Sequence, residues 1–246
     1  SAHADGGIGH EGALSADPFD RIPYPELVHS HTHPDRLAVV GRLLSMQPAS
    51  VVSCRILELA CGTGVNLIAI AQDLPDSQFT GIDGSAAHAH RGAAIVRATG
   101  LTNVGISHQD IRTFDPGSAR YDYIIAHGVY SWVEADVRDA LLRVIRGSLA
   151  PQGLALVSYN TYPGWFTLRA VREMMLFHGR HARDPLERVA KGSEIVEVLL
   201  EHLDPRTSLH AANLAVYKAA LDERIGLQEP ERLASILYDE LSTVNE

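Results

Sequence analysis

A chain of 246 residues with 46% hydrophobic content is long enough to bury one large core. Its 21 Lys and Arg stand against 30 Asp and Glu, and the resulting formal charge of -9 repels a phosphate backbone, which argues against nucleic acid as a partner. No apolar run approaches the roughly 20 residues that cross a bilayer, and the first residues carry neither a basic nor an apolar leader region. Cys54 and Cys61 fit neither a zinc ribbon nor a disulfide framework, so the expectation is a cytoplasmic protein with two free thiols and no membrane attachment.

Residues 1–19 are small, polar and glycine-rich, the composition of a flexible N-terminal segment. The run "HSHTHPD" follows at 29–35, with His29, His31 and His33 at alternate positions. Three imidazoles can bind zinc, and in an extended segment alternation would put them on one face. "DRLAVVGRLLSM" (35–46) predicts a helix opened by Pro34 and Asp35. From Arg55 to Tyr159 short apolar runs alternate with amphipathic ones. "RILEL" (55–59), "QFTGID" (78–83), "NVGISH" (103–108), "YDYIIA" (121–126) and "GLALVSY" (153–159) predict strands, each bounded by Gly, Pro, Asn or Asp. Helical patterns fill 64–73, 85–99 and 134–149, the last with Val137, Leu141, Ile145 and Leu149 on one stripe. This alternation predicts an α/β protein: a Rossmann-like, doubly wound, mainly parallel sheet with helices on both faces and ligands at the carboxyl ends of the strands. After Gly164 the chain turns helical, in four segments beginning near 166, 185, 208 and 230 and punctuated by Pro185, Pro205 and Pro230. The expected organisation is therefore the flexible 1–19, a core over 20–165 and a helical cap or lid over 166–246.

The strand ends carry the chemistry. "ELACGTGVN" (58–66) ends the first strand and opens a helix, and Gly62 and Gly64 allow a tight turn and close approach of a ligand. Dinucleotide enzymes, methyltransferases and other nucleotide binders all use such turns. Asp83 ends the second strand, in the place from which a carboxylate can accept both ribose hydroxyls. Asp110 ends the third, placed to take an adenine amino group, with Ile111 lining the base. The fourth ends in "AHGVYSW" (126–132).

Together these residues resemble the class I S-adenosylmethionine-dependent methyltransferases. The resemblance implies S-adenosyl-L-methionine as cofactor, with S-adenosyl-L-homocysteine as product. It puts Glu58, Ala60, Cys61, Gly62 and Gly64 around the methionine moiety, Asp83 at the ribose, and Asp110 and Ile111 at the adenine. Asn66, Gly84, Ser85 and Ala126 complete the candidate cofactor set. Ala60 stands where the family's first motif has glycine, an exchange costing one methyl group of clearance at a position expected to keep an ordinary negative φ. "IPYP" with "THPDRL", and "HGVYSWV" with "YNTYPGW", look like a bacterial subgroup that carries a methyltransferase regulatory domain and includes protein-lysine methyltransferases of rickettsial type. That similarity covers about residues 20–180. Of the histidine run only His33, with Pro34 and Asp35, belongs to the subgroup's motif, so a loop folding over the cofactor pocket is expected there and no metal. The sixth and seventh strands of the family are not evident after the fifth. The expectation is a fragment of a longer protein, or a shortened member whose sheet edge is covered by helices or a partner.

Methyl transfer from a sulfonium is an in-line displacement in which the protein aligns the reactants and excludes water. Tyr24, Tyr130, Trp132, Tyr162 and Trp165 offer aromatic walls for the acceptor, and Tyr130 and Trp132 equally suit core packing. Asn160 and Tyr162 are candidates to orient the acceptor, and His33 and His127 are the candidate general bases. The expected acceptor is a protein lysine amine. A small-molecule N- or O-methyltransferase and a non-catalytic module that binds S-adenosyl compounds are the alternatives.

Overall fold

The computed structural model describes residues 26–183 and 185–225. The expected flexible segment 1–19, Tyr24 and the helical pattern near 230 lie outside the described residues.

Five strands form one sheet: β1 (Arg55–Leu59), β2 (Gln78–Asp83), β3 (Val104–His108), β4 (Tyr121–Ala126) and β5 (Leu149–Val157). Their order is β3-β2-β1-β4-β5 and every pairing is parallel. The order reverses between β1 and β4, which opens a crevice at the carboxyl ends of those two central strands. Among the described residues there is no sixth or seventh strand.

Four helices cover the faces: α1 (Pro34–Leu43), α2 (Val65–Asp73), α3 (Ala86–Thr99) and α4 (Ala135–Ser148). β1 does not alternate between apolar and polar residues, and every residue from Ile56 to Leu59 is buried, because a central strand of a doubly covered sheet is buried on both sides. Ile56 joins Leu67, Ile70 and Tyr123 in a core beneath α1 and α2. Leu57 and Leu59 turn the other way and pack with Leu141, Val144 and Ile145 of α4. Two of the predicted α4 stripe residues, Leu141 and Ile145, thus reach the core together.

The largest difference from the expected boundaries is in β5, which runs from Leu149, directly after α4, to Val157 rather than over 153–159. Pro151 and Gly153 read as a turn in the sequence, yet the strand absorbs them in an irregularity: Tyr121 pairs with Leu149 but Tyr123 with Leu154, and Gln152 sits at φ +63°.

The remaining helices, α5 (Phe166–His178), α6 (Pro185–His202) and α7 (Leu209–Ile225), build a core of their own from Val171, Met175, Val189, Val196, Leu214 and Tyr217. No helix of the described residues is long and apolar enough to cross a membrane.

Candidate active site

The turn after β1 is the first part of the site. Cys61 N–H donates to Ile82 C=O (3.0 Å), which ties the turn to β2, and Gly64 N–H donates to Cys61 C=O (2.8 Å). Gly62 and Gly64 have φ of +58° and +70°, in the left-handed region that glycine enters freely. Ala60 has φ +55°. This corrects the expectation that Ala60 keeps an ordinary φ: the turn demands the left-handed conformation there too, and alanine accepts it against the steric preference of a Cβ residue. At Gly64 an added Cβ would strike Ile106 Cδ1, and on α3 a Cβ at Gly92 would stand 2.5 Å from Thr63 C=O, so α3 rides close over the turn.

Asp83 locks the turn to the next one. Its Oδ2 accepts from Gly62 N–H (2.7 Å) and its Oδ1 from Ser85 N–H (2.9 Å), while the Ser85 side chain caps α3 by accepting from His88 N–H. A carboxylate has about four acceptor sites, so two backbone bonds leave capacity for hydroxyls. Glu58, at the end of β1, is 5% exposed. Its Oε1 accepts from Asn66 Nδ2 (2.9 Å), and its Oε2 is buried with no hydrogen-bond partner. Burial pushes its carboxyl up to about 7, the Asn66 bond opposes that, and the charge of Asp83 adds to it. Cys61 is also pushed up, first by burial and then by the Glu58 and Asp83 charges, so its thiol is inert.

A cavity of about 650 Å³, open to solvent, lies over these strand ends, within the range of small-molecule and cofactor sites. Of the predicted cofactor residues, Glu58, Ala60, Cys61, Gly62 and Asn66 line it from β1 and its turn, and Asp83, Gly84 and Ser85 from the end of β2. Asp110 and Ile111 line it from the end of β3, though the Asp110 carboxylate is engaged by Arg112, which donates from Nε and Nη2 to its oxygens (2.8–3.1 Å). That ion pair holds Asp110 below the usual carboxylate range. Gly64 sits just behind the lining as the cap of α2, and Ala126 is wholly buried at the end of β4.

On the acceptor side, His127 and Trp132 line the cavity together with Val129, Val133 and Val137. Trp165 stands behind Trp132, ring centroids 5.7 Å apart, with its Nε1 buried and unpartnered. Asn160 N–H donates to Ser131 Oγ (2.8 Å), which joins the loops after β4 and β5, while its Nδ2 is buried without a partner. Tyr130 packs near Tyr159 with centroids 6.0 Å apart, and Tyr162 is exposed with its hydroxyl bonded by Arg169. Neither tyrosine lines the cavity, and no described residue of α5–α7 does.

His33 is not brought to the cavity. It caps α1, with Nδ1 2.7 Å from Asp35 Oδ1, and faces a smaller hollow beside Asp73. His29 lines the cavity instead, with Glu26 and Leu27. Asn66 holds that segment: its Oδ1 accepts from His29 N–H (2.8 Å) and its Nδ2 also reaches Thr32 Oγ1 (3.1 Å). The sequence raised His29 only as a zinc ligand and did not single out Thr32, because no local pattern shows which residues of the loop turn inward. A 3₁₀ turn at Ser30–Thr32 breaks the alternation and buries Thr32 completely.

The strand order, the acidic glycine-rich turn and the second-strand carboxylate define a methyltransferase of class I architecture. The residues fit S-adenosyl-L-methionine: Glu58 offers an orphaned buried carboxylate oxygen, and a Cβ at Gly62 or Gly84 would meet nothing within 4 Å, so backbone lies open to a ligand at both places. A methyltransferase-domain family model matches residues 57–155. The chain is 34% identical over 193 residues to the uncharacterized protein RP028 of Rickettsia prowazekii, covering 78% of this chain and 77% of that one. It is 36% identical to RP789 of the same organism, covering 76% of this chain and 34% of that protein. The solved structure of PKMT2 from Rickettsia typhi in complex with AdoHcy superposes with a TM-score of 0.74 at 32% identity, covering 91% of this chain and 42% of that one. The chain belongs to the class I S-adenosylmethionine-dependent methyltransferases, and S-adenosyl-L-methionine is its cofactor. It spans less than half the length of RP789 and PKMT2.

Proposed function

We propose that this chain transfers a methyl group from S-adenosyl-L-methionine to a lysine amine of a protein. The observation that carries the reading is the acceptor side of the cavity, open to solvent and walled by Val129, Trp132, Val133 and Val137. An extended side chain of a macromolecule can enter such a mouth, and its apolar wall favours the neutral amine over the ammonium. The likeness to PKMT2, and the subgroup's rickettsial-type protein-lysine methyltransferases, support the same acceptor.

The cofactor supplies an electrophilic methyl carbon on a sulfonium. Glu58 would hold the cationic amino end of the methionine moiety, with Ala60, Cys61, Gly62, Gly64 and Asn66 shaping the turn around it. Asp83, backed by Gly84 and Ser85, would take the ribose hydroxyls. Asp110 and Ile111 would flank the adenine, and buried Ala126 would help to form the floor of the site at the end of β4. Asn160, whose amide nitrogen is buried without a partner, would orient the acceptor, and Trp132, backed by Trp165, would form the aromatic wall. His127 is not the base in this scheme. Burial, with His29 and His31 nearby, depresses its imidazole to about 4, too weak to take a proton from an ammonium whose ordinary pKa is about 10.4. The lysine proton would therefore leave to solvent, and the chain's own part would be to hold the neutral amine against the apolar wall of Val129, Trp132, Val133 and Val137.

Incubation of the chain with methyl-tritiated cofactor and a bacterial extract tests this. Label recovered as methyl-lysine after acid hydrolysis of the protein fraction is expected. Label confined to the small-molecule fraction would overturn the lysine acceptor, and cofactor binding without transfer to either fraction would favour a non-catalytic module.

A further inference from the structure

Three imidazoles converge at the cavity with no part in the methyl-transfer scheme. His29 and His31 come from the segment before α1, and His127 is the first residue after β4. Ring centroids lie 4.3 Å apart for His29 and His127, 4.6 Å for His31 and His127, and 5.6 Å for His29 and His31, with planes inclined at 62°, 74° and 60°. One ring nitrogen from each lies within 4.8 Å of the other two. In a tetrahedral zinc centre with Zn–N of about 2.0–2.1 Å the nitrogens stand about 3.4 Å apart, a closure that side-chain rotation supplies. Nδ1 of His127 is buried without a hydrogen-bond partner. An unsatisfied buried polar atom calls for a reason, and edge-to-face packing of rings supplies none for that nitrogen.

We propose that His29, His31 and His127 form a zinc site at the mouth of the cofactor cavity. An all-imidazole set suits zinc among the divalent ions, and three protein ligands leave one tetrahedral position for water or a donor atom from the acceptor. The ion fastens the 29–31 turn to the end of β4, across the switch point, and so adds to the Asn66 bonds that hold His29 and Thr32 over the cavity. The alternating histidines of the sequence are therefore partly a metal motif after all. His33 drops out to cap α1, and His127, nearly a hundred residues away, takes its place.

Calorimetric titration of the metal-stripped chain with zinc chloride, without cofactor or acceptor, tests the site, and visible absorption of the cobalt-substituted chain reports the coordination. The expected result is one ion per chain with a tetrahedral cobalt spectrum. His31→Ala, at an exposed ring whose loss spares the core, should weaken zinc binding more than about tenfold, and His33→Ala should leave it unchanged. Stoichiometric binding that survives His31→Ala, or no binding by the unaltered chain, would overturn the proposal. Retained cofactor affinity in His31→Ala shows that the variant is folded. Because zinc is read without cofactor, the outcome is independent of the acceptor reading.

Discussion

Ala60 and Glu58 show how single residues bear the strain of this site. At φ +55° Ala60 occupies a conformation that costs a Cβ residue about 1–2 kcal/mol. Ala60→Gly relieves that but adds freedom to the unfolded chain, so urea unfolding should show a net gain of about 0.5–1 kcal/mol. Ala60→Val, β-branched and excluded from that region, should cost about 1–3 kcal/mol. A loss with glycine would mean that the alanine methyl's packing against the α4-side core outweighs its strain. Glu58 makes a pH prediction. Its carboxyl is raised in the fold to about 7 from an ordinary 4.5, so the folded state holds a proton that the unfolded state has released. Stability from this group is therefore full below pH 4.5 and falls as pH rises to 7, by an amount on the order of 3 kcal/mol, then levels. The difference in unfolding free energy between the parent and Glu58→Gln, followed from pH 4 to 8, should show that slope. A flat difference would mean that Glu58 titrates alike in the folded and unfolded states.

At the scale of elements, the glycine-rich turn works because α3 can approach it. Gly92 on α3 faces Thr63 C=O, and a methyl there at 2.5 Å meets backbone that cannot rotate aside. Gly92→Ala should cost about 1–3 kcal/mol of stability and weaken cofactor binding in calorimetry, since Asp83 and Ser85 at the head of α3 move with the helix. Full affinity in the variant would show that helix and turn are uncoupled. The strands and helices of the sheet were legible in the sequence because each is a long or well-punctuated apolar pattern. The start of β5 was not, since Pro151 and Gly153 look like a turn and only pairing with β4 reveals that the strand runs through them. For the 29–33 run the sequence led to a loop over the cofactor pocket, but not to which of its residues turn inward: a 3₁₀ turn at Ser30–Thr32, with Thr32 buried and bonded to Asn66, breaks the alternation and leaves His29 lining the cavity.

Among the described residues, the sheet and the C-terminal helices have separate cores. Met175, fully buried among α5–α7, belongs to a core that shares no residue with those flanking the sheet. Met175→Ala should destabilise that bundle by about 2–5 kcal/mol, seen as an early loss of helical circular dichroism on heating, while leaving cofactor affinity within about twofold. A parallel fall in cofactor binding would show that the bundle supports the site. By itself the sequence determined the sheet, its switch-point crevice and the residues of the glycine-rich turn and strand ends, because periodicity and motif spacing act over neighbouring residues. Tertiary structure alone decided that Ala60 must turn left-handed, that Arg112 engages Asp110, that His33 leaves the site and that His127 joins His29 and His31. Each of these depends on which distant strands and loops meet, and how closely, and that is set by packing across the sheet rather than by any local pattern.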